Sequence, residues 1–424
     1  MKAYAMVRAA LTFVALCLSL LLSATAAFGQ DVGADVGGGA GIFRPRNPET
    51  KKSGAKPMTP IIKPSTRPSP RSNRGAAGAA GTAAAAAAEE RVEDLLAKGN
   101  EFRDARRFAE AEEAYQGALK TKPRDGRAAY GLGNVYTDQQ RWENAEMAYR
   151  NAAQWSPSNV DALVALSVVL VQPRTGADNA KRLADAEGFA RRAVQLQPNN
   201  AVAWDRLGVA LQSRGSLTSE TEHSYRRAVE LDPQFAVAYV HLGRILKRLG
   251  RSNEAAPLYD QAISLAKDAA TLNLVAESLQ SEQQWEQSGP VLERALALDA
   301  RNPTTLLLMG RMLVVLKRYQ EAESYLKTST EVSPRAFQPF NLLGRTYLAL
   351  ERYADAEVTY ERAAAFAPVG DRKQLAGAFG FQGVGDGYLK TKELNNAARA
   401  FQRALELDPG NKEIEQRLSK ARSR

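Results

Sequence analysis

The chain has very little of what catalytic and metal centres are usually built from. Its 424 residues include one cysteine, Cys17, and two histidines, His223 and His241. Cys17 lies inside an N-terminal apolar run, so a chain cleaved after that run keeps no thiol. Such a chain forms neither a disulfide nor a thiolate metal site. The two histidines are too far apart in sequence for an H-E-x-x-H spacing, and both read as surface residues. The glycine run at 37–41 is not followed by Lys-Ser/Thr, so it is no phosphate loop. No serine sits in a Gly-x-Ser-x-Gly turn. Carboxylates are plentiful but fall on polar helix faces, where solvated charge explains them. The expectation is a chain without catalytic residues, bound metal or cofactor.

Aromatic residues make up 7% of the chain, and the formal net charge is +10. Much of that charge lies in residues 30–88, which hold nine basic and three acidic side chains. The remainder is nearly balanced. A basic segment without interleaved aromatics is a poor footprint for nucleic acid, so a nucleic-acid partner is not expected.

Residues 1–29 follow the three-part plan of a secretory signal peptide: Lys2 and Arg8, then apolar Ala9–Leu22, then small residues through Gly29. The alternative is an uncleaved N-terminal anchor, since Ala9–Phe28 carries no charge and spans about the 20 residues a bilayer needs. Either way the expected location is exported: periplasmic, cell-envelope or secreted. Residues 30–81 are rich in Gly, Pro, Ala, Lys and Arg, and read as a disordered basic tether. A tether of this kind could bind an anionic lipid or cell-wall polymer, an attraction that salt would screen. At Thr82–Glu90 the reading is the first turns of a helix, with Thr82 as N-cap.

From Val92 to Asn411 the chain repeats nine times with a period of 34 residues. A proline closes most units (Pro123, Pro157, Pro198, Pro233, Pro334, Pro368 and Pro409), with a small residue five positions earlier. In Gly126–Asn159 apolar or small residues fall at Ala129, Leu132, Gly133 and Tyr136. After a polar break they recur at Ala145, Ala148, Tyr149, Ala152 and Ala153. Both sets have helical spacing, so each unit is two short amphipathic helices. Neither could bury its face alone, which requires stacking on the next unit.

This pattern resembles the tetratricopeptide repeat. The glycine of the first helix is Gly99, Gly133, Gly208, Gly243, Gly310, Gly344 and Gly385, with Ser167 and Ala276 in the third and sixth units. The aromatic of the second helix is Tyr115, Tyr149, Tyr225, Tyr259, Tyr360 and Phe401. The resemblance implies an all-α, right-handed α-solenoid of about nine units, at 92–125, 126–159, 160–200, 201–235, 236–268, 269–302, 303–336, 337–370 and 378–411. The solenoid occupies 82–411, and the charged segment 412–424 is expected to cap its open end.

The resemblance further implies that first helices line a concave groove that holds a protein or peptide partner. Side chains just after the glycine position then face the groove: Asn100, Asn134, Val168, Val209, Arg244, Glu277, Arg311, Arg345 and Asp386. Two stretches stand out. Val164, Val168, Val171 and Val209 make an apolar patch. Arg244, Lys247, Asn273, Glu277, Arg311, Asn341 and Arg345 make a polar, mainly basic strip suited to an extended acidic peptide. The alternative is that Glu277 bridges Arg244 and Arg311 in a self-satisfied surface network. The family's chaperone-tail clamp is not expected, because Leu96 and Gly131 stand where it needs lysine and asparagine. The whole reads as a non-catalytic scaffold or adaptor; the rival reading is an envelope attachment protein whose tether does the binding.

Overall fold

A computed structural model describes residues 47–50, 74–174 and 178–423. Among these residues every regular element is helical: nineteen α-helices and one 3-10 turn. The expected leader at 1–29 lies outside the described residues, as does the tether apart from 47–50 and 74–81. The chain divides into two bodies, Met1–Pro233 and Gln234–Arg424.

The N-terminal body holds α1 (Arg74–Asp104), α2 (Phe108–Thr121), α3 (Gly126–Asp138) and α4 (Trp142–Trp155). It continues with α5 (Val160–Leu170), α6 (Asn179–Leu196), α7 (Ala201–Ser213) and α8 (Ser219–Leu231). The C-terminal body holds α9 (Ala236–Arg248), α10 (Ser252–Leu265), α11 (Ala269–Ser281), α12 (Trp285–Leu298), α13 (Pro303–Val315) and α14 (Tyr319–Val332). Then come α15 (Phe337–Ala349), α16 (Tyr353–Phe366), α17 (Phe381–Lys390), α18 (Leu394–Leu407) and α19 (Lys412–Arg422). Odd-numbered helices up to α17 open a pair and even-numbered ones close it. Within each body, a second helix packs on its own first helix and on the first helix of the next pair. First helices also touch one another in sequence: α1 meets α3, α5 meets α7, and α9, α11, α13, α15 and α17 form a row.

Helix α1 begins at Arg74, ahead of Thr82, where the sequence places its N-cap. Runs of alanine, the best helix former, carry the helix back through three glycines that each cost only about 1 kcal/mol.

The repeat proline ends one helix and prepares the next. Two residues after Pro123, Pro157, Pro198 and Pro409 stand Asp125, Asn159, Asn200 and Asn411. Each side chain accepts a backbone N–H from the first turn of the following helix, as at Asn159 with Ala162 (3.1 Å) and Asn200 with Ala203 (3.1 Å). Such a cap contributes about 1 kcal/mol. Between the two helices of most pairs the chain turns through one left-handed residue. Arg106, Gln140, Gln283, Lys317, Glu351 and Lys392 take this role, as do Gly215 and Gly250. The turn closes in the second unit with the Arg141 N–H donating to the Tyr136 carbonyl (2.8 Å), a Schellman arrangement.

The glycine and aromatic positions are two halves of one contact. A Cβ at Gly133 would stand 2.4 Å from the Tyr149 ring, and one at Gly99 2.5 Å from Tyr115. The same near-overlap recurs at Gly208 with Tyr225, Gly243 with Tyr259, Gly344 with Tyr360 and Gly385 with Phe401. In the third unit Ser167 is matched in register by Ala190, both buried. Leucine takes the partner place opposite Ala276 (Leu292) and also opposite Gly310, where a Cβ would stand 2.4 Å from Leu326.

The two irregular connections are tied internally. In the third unit the buried Arg182 guanidinium donates to the carbonyls of Leu170 and Gln172, both at 2.8 Å, and so caps the end of α5. Between the eighth and ninth units a 3-10 turn (Arg372–Ala376) buries Leu375 and Ala376. Gly380 follows, where a Cβ would stand 2.0 Å from the Leu375 carbonyl oxygen. Helix α19 buries Ile414, Leu418 and Ala421 and packs on α18, its outer face charged.

Candidate functional site

The face carried by the first helices is built from side chains that neighbouring helices hold in place. In the N-terminal body the buried Tyr115 hydroxyl donates to Asn100 Oδ1 (2.7 Å). That fixes which way the amide points and leaves its NH2 end to donate elsewhere. One unit later Tyr149 donates likewise to Asn134 (2.9 Å), but Asn134 is fully buried, covered by its neighbours, and does not face the groove as its register implied. A turn after Asn100, Arg103 lies 1% exposed. Its Nε and one terminal nitrogen donate to the Asp138 carboxylate at 2.6 and 3.2 Å. Burial works against the charge of Arg103, but the Asp138 pair outweighs it, and its pKa is raised.

The four valines expected as an apolar patch are all buried: Val164, Val168, Val171 and Val209 are 2%, 1%, 6% and 7% exposed.

The C-terminal body carries the polar strip. Lys247 pairs with Glu282 at 3.2 Å, and Tyr259 donates to the same carboxylate at 2.7 Å. Asn273 is buried; it donates to Asn302 (3.1 Å) and accepts from the Thr305 hydroxyl (2.9 Å), which ties α11 to the start of α13. Arg311 donates through Nε to Gln280 Oε1 (2.8 Å). Gln280 in turn donates to the Leu308 carbonyl (3.1 Å) and to Ser288 (3.2 Å). Arg345 stacks over the ring of Phe379 at 5.1 Å, and burial lowers its pKa. Arg244 is buried, while Glu277, Arg311, Asn341 and Arg345 are half-buried. Arg244, Glu277, Arg311 and Arg345 each have a partner.

The histidines differ from the expectation of two surface residues. His223 is exposed and meets Trp204 edge-on at 5.7 Å, but His241 is buried on α9. Its place on the first-helix row explains this, since those helices are covered on more than one side. Among the described residues no three His, Cys, Asp or Glu side chains are grouped to hold a metal ion, and no helix is long and apolar enough to cross a membrane.

Sequence reasoning named Asn100 but missed Arg103, Asp138 and the tyrosine hydroxyl that orients the amide. The signal was present in part: Asn100 and Arg103 are three apart and share a helix face. Asp138 comes from a different helix, and only the packing of α3 on α1 brings it there.

Tetratricopeptide-repeat family models match residues 96–160, 224–256, 307–371 and 384–411. These stretches are tetratricopeptide repeats. No curated protein matches the chain in sequence. Among solved structures it is similar to a MamA protein, at 22% identity over 42% of this chain and 92% of that chain, with a TM-score of 0.35. It is similar to YrrB, described as a TPR protein with an unusual peptide-binding site, at 24% identity over 44% and 88%, with a TM-score of 0.34. It is also similar to pilF of Pseudomonas aeruginosa, at 15% identity over 52% and 96%, with a TM-score of 0.40.

Proposed function

We propose that this protein is a non-catalytic scaffold whose tetratricopeptide repeats hold an extended segment of another polypeptide against their first helices. The observation that carries the reading is the fixing of polar groups on that face by side chains behind it. Tyr115 aims Asn100, and Gln280 holds Arg311. Groups immobilised before binding lose little entropy on binding, which is what a recognition surface gains from such supports. Oriented amides suit backbone carbonyls, and arginines suit carboxylates. The partner we infer for the C-terminal body is therefore an extended, carboxylate-bearing peptide read by Arg311 and Arg345. Reversing both charges, Arg311→Glu with Arg345→Glu, should abolish capture of that partner while the helical circular-dichroism signal is kept. An unchanged set of captured partners would remove the reading.

We also infer that the chain acts after export, on the strength of its N-terminal pattern. Mass spectrometry of the purified protein should find a mature N-terminus near residue 30. An intact Met1 would count against cleavage.

A further inference from the structure

We propose that residues 47–50 are a built-in ligand of the first-helix face: the chain's own Asn47-Pro48 strap occupies the place on α1 where an external extended peptide would dock. The inference rests on the binding role proposed for that face, and it names what fills the face first.

The contact is made by both residues. Asn100 Nδ2, aimed by Tyr115, donates to the carbonyl of Pro48 at 3.0 Å. The Asn47 side chain uses both ends of its amide: Oδ1 accepts from Arg103 at 3.0 Å, and Nδ2 donates to Asp104 Oδ2 at 2.9 Å. Pro48 is buried, and Glu49 beside it is exposed. The receiving side is held by groups outside the strap. Asp138 takes two nitrogens of Arg103, which leaves the third facing Asn47.

The strap is suited to the part. Proline at 48 keeps Asn47 out of the helical region, and its own ring fixes φ, so an extended Asn-Pro pair costs little to order. Reach is not limiting. Residues 51–73 can span about 75 Å when extended. From Arg74 to Asn100 along α1 is about 40 Å. The strap can therefore bind within its own molecule, at an effective concentration of about 1 mM. A tethered occupant whose intrinsic Kd is about one-tenth of that concentration weakens an external competitor about tenfold.

The test uses the full chain and a fluorescein-labelled synthetic peptide spanning residues 44–51, read by fluorescence anisotropy. The double variant Asn47→Ala, Pro48→Ala frees the site without touching a helix, and it should bind the peptide about tenfold more tightly than the wild type. Adding Asn100→Ala should remove that binding, while thermal melts confirm that all forms fold. Equal affinity of wild type and strap variant would overturn the proposal, as would no binding to the strap variant. Sedimentation distinguishes the source of the strap: a monomer supports occupation within one molecule, and a dimer that dissociates in the strap variant overturns it in favour of exchange between copies. None of these results depends on Arg311 or Arg345, so failure here and failure of the acidic-peptide reading are separable.

Discussion

Adding one methyl group at Gly133 should destabilise the protein, and removing the ring it meets should reverse the sign of that effect. The Cβ of Gly133→Ala would lie 2.4 Å from two carbons of Tyr149, where the optimum for such atoms is about 3.5–4.0 Å. The ring cannot retreat. Tyr149 is fully buried, and its hydroxyl is bound to Asn134 at 2.9 Å and Thr137 at 3.0 Å. Overpacking of this depth costs about 3 kcal/mol. Alanine in a helix interior recovers about 1 kcal/mol over glycine. The net loss is then about 2 kcal/mol. Tyr149→Ala alone should cost about 3–5 kcal/mol through the cavity it leaves. In that background Gly133→Ala meets no ring and should stabilise by about 1 kcal/mol through helix propensity, a coupling of about 3 kcal/mol. The third repeat already shows the compensated state, with Ser167 on one helix and Ala190 on the other. Urea titration followed by circular dichroism measures all four corners of the cycle, with a constant m-value as the condition for comparing midpoints. Additivity to within about 0.5 kcal/mol would refute the claim that glycine and tyrosine form a single steric unit.

Lys317 turns between α13 and α14 at φ 59°, a conformation that costs an L side chain about 1 kcal/mol; the fourth and fifth units place Gly215 and Gly250 at this point. Lys317→Gly should therefore raise stability by about 0.5 kcal/mol after the added flexibility of the unfolded chain is subtracted, and a lowered urea midpoint would contradict this. Glu146 sits between Arg150 (2.9 Å) and Arg174 (2.6 Å). Burial pushes its carboxyl up, but the two arginines outweigh burial and hold it below the usual range. The unfolded chain then takes up this proton first as pH falls. Its contribution is complete above the unfolded value of about 4.3 and is lost as pH drops through the lower folded value. Glu146→Gln should flatten the fall in urea midpoint between about pH 5 and pH 3, and an unchanged slope would show that the pair does not couple to folding.

Most of the fold was legible because it is written in local, repeated chemistry. Pro157 stops a helix, Asn159 caps the next, and Gly133 answers Tyr149 sixteen positions later, all within one period. The start of α1 was less legible, because alanine and glycine pull in opposite directions at 74–81 and their balance is small. The face was read only in part. Register placed Asn100 and Arg311 on first helices, but burial is a property of neighbours, not of register. Nothing in the spacing of Val164, Val168, Val171 and Val209 says that all four are covered, nor that Asn273 is taken up by Asn302 and Thr305. Arg103 with Asp138, and Asn47 with both Arg103 and Asp104, are pairings across different segments that no periodicity encodes.

Site-specific photo-cross-linking tests the claim that first helices form the binding face most directly. Benzoylphenylalanine would be placed at Asn341 on α15 and, in a separate protein, at Val358, which is 66% exposed on the second helix α16. In cells producing the protein, irradiation should join Asn341 to another polypeptide and leave Val358 without adducts. Adducts at Val358 with none at Asn341 would contradict the account.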